Sequence, residues 1–306
     1  MFLRRGAGDG PELLKPFIEF VLGNHAQAAL FLGWLAVAAR FTLHRLTEHC
    51  FACHSKLPTP RRFALGQRFL AEVPQENLSL KERARLAVAT RQFDTALEIY
   101  ETLFQSPAIT ATDIGLMGAF EDYFKLVFRV QNDFQRALRM LETFRQRPDI
   151  PYSLMAYLDS WVEALKEIHP VEASDAALSS ARTLIREGQQ RNRFPADRLG
   201  LVHFVVASSL LHRSVDTHRI AGPPLAEAYY LLGVAESYIS RTLWMSETEF
   251  FLETAIRLAP MSGSARQAYA FLEEYVLAQH MGSSGLHLPA DVRARLEELR
   301  RLLDGS

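Results

Sequence analysis

The chain has 306 residues, 48% of them hydrophobic, with 34 basic against 35 acidic side chains and a formal net charge of −1. That balance is typical of a protein with a packed core and is not a disordered composition. No run of Lys or Arg exceeds two, which argues against a nucleic-acid groove or a polybasic membrane anchor. The two cysteines are too few for a disulfide framework.

Met1 to Arg5 looks like a charged leader, but Gly6-Ala-Gly-Asp-Gly10 follows in place of an apolar run, which makes a poor signal peptide. The apolar stretch Ala28 to Ala39 ends in a cleavage-like Ala36-Val37-Ala38. It is shorter than the ~18 residues a bilayer needs. Asp9, Glu12 and Glu19 also cancel Arg4, Arg5 and Lys15 upstream of it, so it reads as a buried helix, and on that reading residue 1 is not the natural start. From Pro11 to Thr47 the pattern is helical. Leu13, Leu14, Phe17, Ile18, Val21 and Leu22 recur at three- and four-residue steps, and Leu30, Trp34, Val37, Phe41 and Leu46 follow after the break at Gly23-Asn24.

These helices lead into Cys50-Phe51-Ala52-Cys53-His54, which contains the only two cysteines. The pentad resembles the haem-attachment signature of c-type cytochromes. That resemblance implies thioethers from Cys50 and Cys53 to the haem vinyl groups, and His54 as the proximal ligand of the iron. Zinc, a thiol–disulfide centre and coincidence are the alternatives. Zinc would need two more ligands, and only His44 and His49 are near; at five residues apart they point some 140° from each other on a helix. Redox thiols usually follow a strand, and none is evident here. For a sixth iron ligand His44, His49, His203, Met117, Met140 and Met155 are all available. The methionines fit apolar helix patterns as core filler, and His203 fits as a core histidine.

Two prolines in Ser55-Lys-Leu-Pro-Thr-Pro-Arg-Arg62 predict a loop, and a short turn or helix is expected between Gly66 and Val73. Ser79 with Glu82 forms a capping box that opens a clear helix. The chain then repeats itself. Phe93-Asp-Thr-Ala-Leu-Glu-Ile-Tyr-Glu-Thr-Leu-Phe-Gln-Ser-Pro107 aligns with Phe134-Gln-Arg-Ala-Leu-Arg-Met-Leu-Glu-Thr-Phe-Arg-Gln-Arg-Pro148, 41 residues later. Ala96 and Ala137, Tyr100 and Leu141, and the exit prolines resemble the second helix of a tetratricopeptide repeat. Tyr229, Leu232 and Gly233, followed by Ala255 to Pro260, resemble a third unit. This one departs from the family in a turn about three residues too long and in Glu236, where an aromatic is usual. Degenerate units are expected around Tyr152 to Ile168, Ala173 to Gln190 and Pro195 to Arg213. The resemblance covers about Leu80 to Leu277 and implies an all-α fold, an α-solenoid of helix pairs that docks a protein partner. After Gly282-Ser-Ser-Gly285, Pro289 is expected to start a capping helix at its N1 position, with Leu296, Leu299, Leu302 and Leu303 on one face.

The predicted organisation is therefore residues 1–78, an N-terminal helical segment with the haem site; 79–282, the repeats; and 283–306, a loop and capping helix. Gly6 to Gly10 lacks the strand and the Lys-Ser/Thr of a phosphate loop, and Gly282 to Gly285 is too short for a nucleophile elbow. Glu247, Glu249 and Glu253 read as a solvated acidic face. No catalytic residue is assigned. The expected function is that of a c-type haem protein, periplasmic and transferring electrons, on a scaffold that docks protein partners, redox proteins among them; it binds no nucleic acid and does not span a membrane. The other reading is a haem-free interaction scaffold. Peroxidase or sensor chemistry stays open with the sixth ligand.

Overall fold

The computed structural model describes residues 64–76, 78–168, 176–194, 196–216, 220–240, 247–283 and 285–305. Over these residues the fold is all-α, a stack of helical hairpins, with one two-residue β-ladder. The first described helix, α1 (Ala64–Glu72), crosses the end of α2 (Leu80–Ala89) so closely that a Cβ on Gly66 would lie 2.0 Å from the Thr90 carbonyl oxygen. The capping box forms as predicted: the Ser79 hydroxyl accepts from the Glu82 amide, and the Glu82 carboxylate accepts from the Ser79 amide at 2.8 Å.

The duplication is visible in three dimensions. α2 pairs with α3 (Phe93–Gln105); in the next unit α5 (Ala119–Phe124) runs into a π-helix (Lys125–Gln131) and turns into α6 (Phe134–Phe144). Ala96 and Ala137 are both fully buried, as are Tyr100 and Leu141 four residues on. The small residue lets the partner helix approach, and the large one fills the groove. Thr102 and Thr143 each donate to the carbonyl four residues back, at 2.9 Å. Each interhelix turn also holds one residue in the left-handed region, Arg91 at φ 61° and Asn132 at φ 55°. The units differ by one residue: the Gln92 amide reaches back to the Ala87 carbonyl, but the Asp133 amide reaches to Val127. The π-helix absorbs that extra residue.

Between the units, α4 (Ala111–Leu116) is capped by Thr110, and its first amide donates to Asp149 at 2.8 Å. Arg147, just before the second exit proline, donates to the Phe104, Ser106 and Ile109 carbonyls and so ties the end of one unit to the end of the other. An aromatic cluster fills the space between them. Phe120 stacks on Phe104 at 4.9 Å and meets Phe144 and Trp161 at 5.2 Å each; such pairs contribute about 0.5–1.5 kcal/mol apiece beyond burial.

The predicted degenerate units correspond to α7 (Tyr152–Glu167), α8 (Ala177–Arg191) and α9 (Leu201–Asp216). α8 and α9 touch through glycines: a Cβ on Gly200 would come 2.3 Å from the Gly188 oxygen. The third recognisable unit is α10 (Pro223–Ile239) with α11 (Thr248–Leu258), where Gly233 lies under Leu252 with room for no Cβ, 2.6 Å from its Cγ. α12 (Gly263–Gln279) leads to a hairpin of β1 (Met281–Gly282) and β2 (Gly285–Leu286), then to α13 (Ala290–Asp304). Pro289 takes the N-cap place, one residue earlier than expected. One hydrophobic core runs from Ala84 to Phe251, and a second joins α11, α12 and α13 through Leu252, Ile256, Leu272, Val276, Leu296 and Leu299. Among the described residues no helix is long and apolar enough to cross a membrane.

Candidate functional site

Cys50, Cys53 and His54 lie outside the described residues, as do His44 and His49. Among the remaining candidates for an iron ligand, Met140 is buried in α6 and Met117 packs half-buried against the core at the end of α4. His203 is 1% exposed in α9, and its Nδ1 has no hydrogen-bond partner among the described residues. Burial, with the nearby Arg191 charge, pushes its pKa down to about 4. The described residues hold no group of three or more His, Cys, Asp or Glu side chains able to grip a metal ion.

The expected solvated acidic face on α11 is instead engaged. Arg295 of α13 meets Glu249 at 2.5 Å and Glu253 at 3.2 Å, so this face packs under the last helix. Gly282 and Gly285 pair across the β-hairpin.

Three sets of buried or half-buried charges pair across helices. Asp122 accepts from Arg85 at 3.0 Å and from the Tyr100 hydroxyl at 2.9 Å. Burial alone would raise the Asp122 pKa, but the Arg85, Lys81 and Lys125 charges hold it below the ordinary carboxylate value. Burial and then Asp122 push the Tyr100 hydroxyl well up, so it stays a neutral donor. Arg136 grips both oxygens of Glu101, at 2.7 and 3.0 Å, while Tyr123 donates to the same carboxylate. Arg129 of the π-helix pairs with Glu236 of α10, and Ser208 of α9 joins them. These sets lock helices to one another.

Among the described residues lies a cleft of about 800 Å³. One face of α7 supplies Leu154, Tyr157 and Trp161 at helical spacing, α4 supplies Leu116, and the end of α10 supplies Tyr238. α12 supplies Phe271, Glu274 and Tyr275. The walls are held rigidly. Tyr157 stacks on Trp161, whose indole donates to the Arg198 carbonyl at 2.7 Å, and Tyr238 stacks on Phe204 at 4.3 Å. The Arg198 guanidinium is spent on the Tyr238 and Ile239 carbonyls, at 2.8 and 3.2 Å. Leu116 remains 71% exposed at the lip. An aromatic trough with a few hydroxyls is suited to binding.

Reading the sequence misses this cleft, because its walls come from four helices spread over more than 160 residues. The local signal for it is a second aromatic face on α12, where Phe271 and Tyr275 stand beside the core stripe. Comparison of the chain with families of known proteins, with curated proteins and with solved structures finds no match.

Proposed function

We propose that this chain is a c-type haem protein whose tetratricopeptide-like body docks a partner polypeptide, and that it passes electrons in a periplasmic setting. The docking half is carried by the aromatic cleft, a preformed recess whose rings are already fixed by stacking and hydrogen bonds, so that binding costs little ordering. The haem half is carried by the sequence alone: the only two cysteines stand two residues apart with His54 immediately after. Held by Cys50, Cys53 and His54, haem would supply one-electron chemistry.

The test is to fuse the chain to an export signal and co-express it with a cytochrome c maturation apparatus. A red protein is expected, with a pyridine haemochrome spectrum that survives acid–acetone extraction and shifts in Cys50→Ser as one thioether is lost. A colourless product would remove the haem half and leave the second reading, a haem-free interaction scaffold. That reading is favoured by the cleft, which is built from residues other than the pentad.

A further inference from the structure

We infer that the cleft takes an extended segment of a partner polypeptide bearing one Lys or Arg in an otherwise apolar, uncharged stretch, its cation seated beside Glu274 and the cleft's aromatic rings. This rests on the docking reading above and names the partner's chemistry.

Charge is the first argument. The cleft holds two ionisable side chains of fixed charge, Arg198 and Glu274. Arg198 has turned inward to two carbonyls at the end of α10, and its Nε lies 3.9 Å from the buried Glu121 carboxylate, so its charge is balanced within the stack. Glu274 is exposed, with no hydrogen bond or ion pair among the described residues. No lysine lines the cleft. The recess therefore presents one uncompensated negative charge, which disfavours nucleic acid and acidic segments and favours a single cation.

The rings are the second argument. Glu274 follows Phe271 by three residues and adjoins Tyr275 on α12, and both rings line the same recess as Tyr157, Trp161 and Tyr238. A carboxylate amid π-faces recognises an ammonium or guanidinium group by ion pairing together with cation–π attraction, while the apolar walls take uncharged neighbours. An extended backbone also needs hydrogen-bond partners. Thr112, Ser153, Ser237 and Ser240 supply hydroxyls around the same recess.

The experiment is an in vitro display selection of random dodecapeptides on the immobilised full chain, with one enriched peptide then synthesised and measured by fluorescence polarisation. Enriched sequences are expected to carry a Lys or Arg among apolar residues, and replacing that residue by Gln should weaken binding about fivefold. Glu274→Gln should weaken the Lys or Arg peptide by the same factor and leave its Gln version unchanged. Leu116→Arg, at the exposed lip, should abolish binding of both, with circular dichroism confirming that each variant is folded. Enrichment without basic residues, or a Glu274→Gln variant that binds the basic peptide as tightly as the parent, would overturn this inference and leave docking in place. No enrichment, or binding indifferent to Leu116→Arg, would overturn the docking reading itself.

Discussion

Glu236 shows how a departure from a repeat pattern acquires a physical reason. Where the resemblance expects an aromatic ring, the structure places a carboxylate whose side chain is 6% exposed against an Arg129 side chain 3% exposed. The partners lie 107 residues apart, and helical periodicity carries no information at that range, so the pair was not legible in the sequence. Two charges withdrawn from water depend on each other. Glu236→Gln should therefore destabilise the chain by about 3–5 kcal/mol in urea unfolding, and Arg129→Met combined with Glu236→Leu should recover most of that loss. His203 makes a second demand at this scale. Its folded pKa, about 4, lies below the ordinary value, so between pH 6.5 and 4 the unfolded chain binds a proton that the folded chain refuses. The stability tied to this group is complete above pH 6.5 and is lost as pH falls toward 4. Over that window the parent should lose about 1.4 kcal/mol per pH unit relative to His203→Phe, read from urea midpoints at matched pH.

At the scale of elements, what the sequence disclosed was whatever depended on near neighbours. The Ser79–Glu82 box spans three residues and was readable in full. The register of Phe93 to Pro107 on Phe134 to Pro148 was readable because the same packing demands recur at the same positions, with Ala96 and Ala137 at the close approach and Tyr100 and Leu141 in the groove. The turns were less transparent. Arg91 and Asn132 adopt the same left-handed conformation, but only Asn suits it, since its short side chain tolerates positive φ and Arg pays a steric cost of about 1–2 kcal/mol. An arginine in that place gives no turn signal. The π-helix was likewise invisible, because one added residue leaves the apolar pattern of Leu126, Val127 and Phe128 looking like an ordinary helix. The cleft is the extreme case: its wall residues are scattered over separate helices, and only the stacking of α4, α7, α10 and α12 turns them toward a common recess.

At the scale of the whole molecule, the C-terminal helices show how an apolar helix face is covered. α13 covers α11 and α12 with Leu296 and Leu299 set against Leu252, Ile256, Leu272 and Val276. Its ion pairs, Arg295 with Glu249 and Glu253 and Arg257 with Glu298, are half-buried or exposed and contribute about 1 kcal/mol each; burying the leucines contributes about 1.5–3 kcal/mol apiece. The cap is therefore hydrophobic first and electrostatic second. Ending the chain after residue 287 should expose α11 and α12 and speed their amide exchange. Protection in α2, α3 and α6 should stay as it was, because those helices bury their residues in the other core. Leu299→Ala in the intact chain should reproduce the loosening in milder form, at about 2–4 kcal/mol of local stability, whereas Arg295→Ala should barely register. Hydrogen exchange followed by mass spectrometry separates these outcomes. Uniform loss of protection along every helix would show that the stack melts as one unit, and equal effects of Leu299→Ala and Arg295→Ala would show that the ion pairs carry the cap.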